Sequence, residues 1–166
     1  NRTIENRLDY EIITIDPNLC TDIDDAMGLS GNILSVYIAN VWCWLEIMDL
    51  WDVVGTRSST IYFPDMKRPM LPTIIGEQLC SLDQDHVRLG FVLEFTVVEH
   101  PRRGVYIQHL DGFKPSYNQC RIKVSHNFDY DERDKIKKIN PIGLLAVPLW
   151  ATPAQCVPTA VERSYS

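Results

Sequence analysis

The chain has 166 residues, enough to bury a core as one domain, and 45% apolar against 23% charged residues excludes an overall disordered polymer. Its 22 acidic and 16 basic residues, a net charge of −6, count against gripping duplex nucleic acid through a broad basic face. A local groove for a single strand stays open, because metal ions neutralise acidic groups at such a site.

The chain opens at Asn1 without an initiator Met or a signal peptide, so it reads as a piece of something longer, and its first residues are charged and helix-compatible. Asn1-Arg2-Thr3 fits a glycosylation sequon, but nothing else points to secretion. Residues Tyr10 to Ile15 are rich in β-branched side chains and predict a strand ending at Asp16-Pro17. A polar loop with four aspartates follows. Ile33 to Ala39 (ILSVYIA) is a nearly continuous apolar run, as expected for a strand buried on both faces. Trp44, Ile47, Met48, Trp51 and Val54 then fall at helical spacing, with Glu46, Asp49 and Asp52 opposite. They predict one amphipathic helix ending near Gly55, its aromatic stripe packed into the core.

Ser59 to Phe63 predicts a short strand, and Pro72 starts a helix whose apolar side is Ile75, Leu79 and Leu82. Phe91, Leu93, Phe95 and Val97 alternate with Val92, Glu94 and Thr96, the pattern of a half-buried strand. Pro101 and Gly104 mark a turn, after which Val105 to Leu110 returns as a hairpin partner, and Arg121 to Ser125 is a further strand. Asp129 to Ile139 carries acids in its first turn and lysines in its last, matching the helix dipole; the lysines read as a solvated helix end. No charged residue occurs from Ile139 to Val161, where prolines at 141, 148, 153 and 158 exclude a good transmembrane helix. This tail reads as an extended apolar arm laid on a surface. The five cysteines form no C-x-x-C pair, so neither a zinc module nor a disulfide framework is indicated, and reduced, mostly buried thiols are expected. Interleaved strands and helices predict an α/β to α+β layered domain, a mixed sheet with flanking helices.

The motif that carries chemistry is Asp16-Pro17-x4-Asp22-x-Asp24-Asp25-Ala26, four carboxylates within ten residues directly after a strand. Packed together they repel, and burial raises their pKa values unless a cation compensates. Hard divalent cations such as Mg2+ take carboxylate, water and phosphate oxygens, so the cluster can hold metal, activate water and steady the charge of phosphodiester cleavage. On composition alone a solvated, Asx-capped turn is the alternative. The spacing is not that of an EF-hand, which disfavours calcium.

These residues resemble the signature of RNase II/RNB-family exoribonucleases. Val36-Tyr37-Ile38-Ala39-Asn40-Val41 is similar to the family's V-H-I-A-D-V strand, and Arg57 to Asp65 (RSSTIYFPD) to its R-x-T-S-V-Y-L-P-D segment. Pro69-Met70-Leu71-Pro72 followed by Leu79-Cys80-Ser81-Leu82 matches P-M-L-P…L-C-S-L. Arg88 falls where the family has an arginine, and Ile122 to Glu132 resembles a later I-x-x…Y-x-E stretch. The resemblance implies a partial RNB domain over residues 1–138 with the arm at 139–166, and a Mg2+-dependent 3'-to-5' exoribonuclease acting on single-stranded RNA. It implies Asp16, Asp22 and Asp25 as metal ligands, Asp24 and Asp25 in catalysis with Asp24 near the terminal nucleotide, and Tyr62 stacking on an RNA base.

Two departures qualify that. Asn40 stands where the family has an aspartate, and the family's late T-S-P-I-R-R-Y segment, with its catalytic arginine, and the glutamate-bearing helix after it have no counterpart. The expected consequences are inactivity without a second half and exposed sheet edges and apolar faces. A protein partner or further chain segment would cover the open face, in an intracellular setting (cytoplasm, organelle matrix or virus particle) with no membrane. The alternative is a degenerate RNB module reused as a structural part of a large assembly.

Overall fold

The computed structural model describes residues 3–54, 59–100, 104–107 and 116–139. Strand β1 is Glu5–Arg7, β2 Ile12–Asp16, β3 Asp25–Ser30 and β4 Ile33–Ala39. Helices α1 (Val41–Ile47) and α2 (Trp51–Val54) precede a small hairpin of β5 (Ile61–Tyr62) and β6 (Lys67–Arg68), then a π-helix at Ile74–Cys80. The chain continues through β7 (Val87–His100), β8 (Gly104–Ile107), β9 (Ser116–Lys123) and β10 (His126–Asp129) to α3 (Arg133–Ile139). The main sheet runs β1-β9-β7-β4-β3-β2-β10, with β8 added on β7. It is mixed: β1 lies parallel to β9 and β10 parallel to β2, while the inner pairs are antiparallel. A mixed sheet with flanking helices is the architecture the sequence predicts.

The apolar run ILSVYIA forms β4 at its predicted bounds, between β3 and β7, with Tyr37 fully buried. Its central position explains the lack of alternation: the Tyr37 face packs in the core, and the other face is covered at Leu34 but open at Ile38. On one face Ile12, Ala26, Tyr37, Val92, Cys120 and Ile122 pack under Leu45 of α1 and Ile75 of the π-helix. On the other, Ile13, Met27 and Phe128 pack against Ile136 of α3. Seven residues make too short a helix to persist alone, where about 12–15 are needed. Burial of Ile136, worth about 1.5–3 kcal/mol, holds α3 on the sheet. Gly28 lets β2 and β3 approach closely, because a Cβ there would lie 2.9 Å from the Glu11 carbonyl oxygen.

Several local expectations change. The predicted helix over Trp44 to Val54 is two helices, broken where Asp49 adopts a left-handed φ of 51°. In α1 the inner face is Val41, Trp44 and Leu45; the break turns Ile47, Met48 and Trp51 outward, while Val54 packs back against the core. Ile47 and Trp51 are therefore exposed rather than packed in the core. In β7, Val92 is the buried residue facing Tyr37, whereas Phe91, Leu93 and Phe95 are only partly covered. The charged N-terminal stretch is strand β1, not helix. Arg7 reaches inward to Glu94 at 2.8 Å and to Glu5 at 2.8 Å, and it lies over the Tyr10 ring. Asp25 to Ser30 and His126 to Asp129, unassigned or read as a helix start, are β3 and β10. Of the hairpin partner predicted at Val105 to Leu110, the described part, Gly104–Ile107, pairs antiparallel with β7, and residues 108–110 lie outside the described residues.

Ile38, Val87 and Tyr117 are 45%, 50% and 69% exposed. By register Ile38 and Tyr117 share the face of Phe91 and Leu93, so this end of the sheet presents the open apolar face expected of a partial domain. Cys20, Cys43, Cys80 and Cys120 are free thiols, as expected. Among the described residues no helix is long and apolar enough to cross a membrane. The arm, the sequon asparagine, Arg57 and Ser58 lie outside the described residues.

Candidate metal-binding aspartate loop

The aspartates are not all in a loop. Asp16 is the last residue of β2 and Asp25 the first of β3, so two adjacent strands of the sheet fix the ends of the motif. Between them the chain turns at Pro17, where the Cys20 amide donates to the Pro17 carbonyl at 3.0 Å and Leu19 adopts a φ of 67°. Ile23 plugs the loop into the core. Its amide donates to the Ser81 hydroxyl at 3.2 Å and its carbonyl accepts from Leu82 at 2.9 Å, while the Asp24 carbonyl accepts from Ala39 at 2.8 Å. The L-C-S-L segment thus clamps the loop in place, which leaves Asp22 and Asp24 on its exposed side.

Loss of hydration raises Asp16, Asp24 and Asp25, and repulsion from neighbouring aspartates adds to it at Asp16 and Asp24. Asp16 is pushed to about 6, chiefly by loss of hydration; the neighbouring Thr14 hydroxyl opposes this, and the charges of Asp25, Asp24 and Asp22 add to it. Asp24 is raised by burial and then by Asp22 and Asp25, and Asp25 is raised by burial. One oxygen of Asp16, Oδ2, is buried with no hydrogen-bond partner. A buried carboxylate oxygen without a donor costs folding free energy that a bound cation would recover.

Among the described residues, no three His, Cys, Asp or Glu side chains converge as a ready-made metal cage. Mg2+ does not require one, since it keeps several waters and binds through one or two carboxylates plus substrate phosphate. The residues present fit that group: Asp16, with its orphaned oxygen, and half-buried Asp25 are the two best placed. Asp22 is engaged elsewhere, 3.5 Å from the Lys67 ammonium, which also lies 3.3 Å from Glu77.

Tyr62 stands on β5, away from the main sheet and 76% exposed, in register opposite Lys67. Arg88 is committed to the carbonyl of Ser81 at 2.6 Å and to Asp83 at 3.1 Å, so it braces the clamp rather than facing the aspartates. Asn40, the departure from the family motif, is buried and caps α1 by accepting from the Cys43 amide at 3.1 Å. Asparagine caps as well as aspartate does and places no charge in the core. Lys67 and Glu77 were not legible as site residues, because the bridge from Asp22 through Lys67 joins segments far apart in the chain and no spacing announces it.

A family model described as the RNB domain matches residues 5–141. Ribonuclease R of Chlamydia trachomatis is 32% identical over 146 residues, covering 81% of this chain and 20% of that protein. DIS3-like exonuclease 2 of Caenorhabditis elegans is 34% identical over 108 residues, 55% of this chain and 12% of that protein. The structure of Mycoplasma genitalium RNase R with ribose-methylated single-stranded RNA superposes with a TM-score of 0.63 at 26% identity, over 84% of this chain and 21% of that one. The chain spans about a fifth or less of the length of these relatives.

Proposed function

The chain belongs to the RNB-domain family, and on that premise we propose that it supplies the metal-binding part of an enzyme that removes nucleotides from the 3' end of single-stranded RNA. The observation that carries this reading is the buried, unpartnered Oδ2 of Asp16, set between strands that also fix Asp25. Buried carboxylate oxygens are normally partnered, and a bound cation is one partner this position can take.

Asp16 and Asp25 would hold Mg2+, with Asp22 reaching it through water while its Oδ1 stays paired to Lys67. When bound, Mg2+ supplies a Lewis acid that lowers the pKa of water and offsets the charge growing on the phosphate. Asp24, on the exposed side of the loop, would orient the terminal nucleotide, and Asp25 would hold the attacking water beside the phosphate. Tyr62 offers a stacking surface that accepts any base, which suits removal of nucleotides regardless of sequence. With Arg88 committed to the clamp, the positive charge for the transition state would come from a partner or further chain segment that also covers the open sheet face. Lack of such a charge costs roughly two to three orders of magnitude in rate, so the chain alone would be close to inactive.

A second reading, a structural part of a large assembly, is favoured by the Lys67–Asp22 pair and by the lack of a ready-made cage among the described residues. Digestion of a 5'-labelled single-stranded RNA by the protein from its native source, with Mg2+ and then with EDTA, separates the two. Stepwise shortening from the 3' end that EDTA and an Asp25→Asn substitution abolish supports the nuclease. No shortening, from protein still bound to a large particle, supports the structural part.

A further inference from the structure

The β5–β6 hairpin has little to hold it where it is. It forms its own two-stranded sheet, and every residue from Ile61 to Arg68 is exposed. Its turn is closed by the Phe63 amide donating to the Met66 carbonyl at 2.8 Å, and its base by the Met70 amide donating to the Thr60 hydroxyl at 3.2 Å. Those bonds shape the hairpin without placing it, and two isolated strands are marginal in water. Its orientation must come from contacts with the rest of the protein.

Lys67 makes such contacts. Its ammonium lies 3.5 Å from Asp22 Oδ1 and 3.3 Å from Glu77 Oε1, so one side chain joins β6 to the aspartate loop and to the π-helix. The Asp22 end of that loop is itself anchored through Ile23 to Ser81 and Leu82, just after the π-helix. Both acceptors of the lysine therefore belong to one clamped unit. Tyr62 is the direct cross-strand partner of Lys67, so the two side chains project from the same face of the hairpin.

We infer that Lys67 is a positioning residue: by bridging Asp22 and Glu77 it docks the hairpin on the aspartate loop and sets where Tyr62 stands relative to the carboxylates. This deepens the nuclease reading and rests on it. A base stacked on Tyr62 brings its phosphate to the side of the hairpin that faces the loop, and the register of that phosphate depends on the bridge.

The test compares the purified chain with Lys67→Met and Lys67→Arg variants by amide hydrogen exchange in EDTA without RNA. A parallel arm measures binding of a short single-stranded RNA with phosphorothioate linkages. Loss of one or two part-exposed ion pairs is expected to speed exchange over residues 61–68 about threefold to tenfold in Lys67→Met, with β4 unchanged. RNA affinity falls in the same variant, and Lys67→Arg restores both. Unchanged hairpin exchange in Lys67→Met overturns the inference, as does faster exchange throughout the sheet. The exchange arm contains neither metal nor RNA, so its failure leaves the nuclease reading standing. A hairpin-specific exchange effect with RNA affinity unchanged in Lys67→Met overturns the link to Tyr62, and the nuclease reading is judged separately by the digestion with Mg2+ and EDTA.

Discussion

Replacing Asp16 by asparagine removes one negative charge from a site where burial and three neighbouring aspartates disfavour it. Without metal the carboxyl titrates near 6 in the folded protein, against an ordinary value of 3.8. Below pH about 3.8 it is protonated in both folded and unfolded chains and contributes full stability; as pH rises toward 6 the folded state retains a proton that the unfolded state has lost. Stability therefore falls across that window, at up to about 1.4 kcal/mol per pH unit and by roughly 2–3 kcal/mol in all. Asp24 and Asp25, raised in the same direction, add to the slope. The asparagine side chain is neutral at every pH, so in EDTA the Asp16→Asn protein should match wild type near pH 4 and exceed it by roughly 2–3 kcal/mol near pH 7.5. By thermal unfolding this is about 4–12 °C. Mg2+ at about 1,000 times its Kd should reverse the order, because it stabilises the binder by about 4.1 kcal/mol and asparagine lacks the anionic ligand. Parallel pH profiles for the two proteins in EDTA would refute the reasoning.

Tyr62→Ala should weaken binding of single-stranded RNA by about 1–3 kcal/mol in fluorescence anisotropy. Being 76% exposed, the residue should leave the unfolding midpoint within about 0.5 kcal/mol of wild type. Asn40→Ala deletes the cap of α1 and should cost about 1–2 kcal/mol in urea unfolding, whereas Asn40→Asp keeps the cap. Gly28→Ala forces β2 and β3 apart, since its Cβ would meet the Glu11 carbonyl at 2.9 Å; a loss of about 1–3 kcal/mol is expected by the same assay.

The sheet was largely legible because its central strands have periodicity that nothing local contradicts. Ile33 to Ala39 is apolar on both faces and lies in the middle of the sheet, and the return of Gly104–Ile107 on β7 follows from the turn before it. The helix over Trp44 to Val54 was misread because its spacing is perfect and only the left-handed Asp49 interrupts it, a backbone choice made by tertiary packing. Strand β3 was hidden because its first residue is one of the aspartates, and Asp disfavours strands on propensity alone. The candidate site divides likewise. Spacing announced the four carboxylates, but not that Asp16 would carry an orphaned oxygen while Asp22 paired with a lysine 45 residues away. Such contacts follow from the sheet bringing distant segments together, and no local pattern encodes them.

The claim on which the account turns is that these aspartates bind a hard divalent cation, and titration of the chain with Mn2+ followed by electron paramagnetic resonance measures that without RNA or turnover. The account predicts saturable binding that Mg2+ displaces, weakens as pH falls through 6, and is lost in Asp16→Asn and Asp25→Asn. Binding that is absent in the wild type, or that both variants retain at the wild-type affinity, would contradict it.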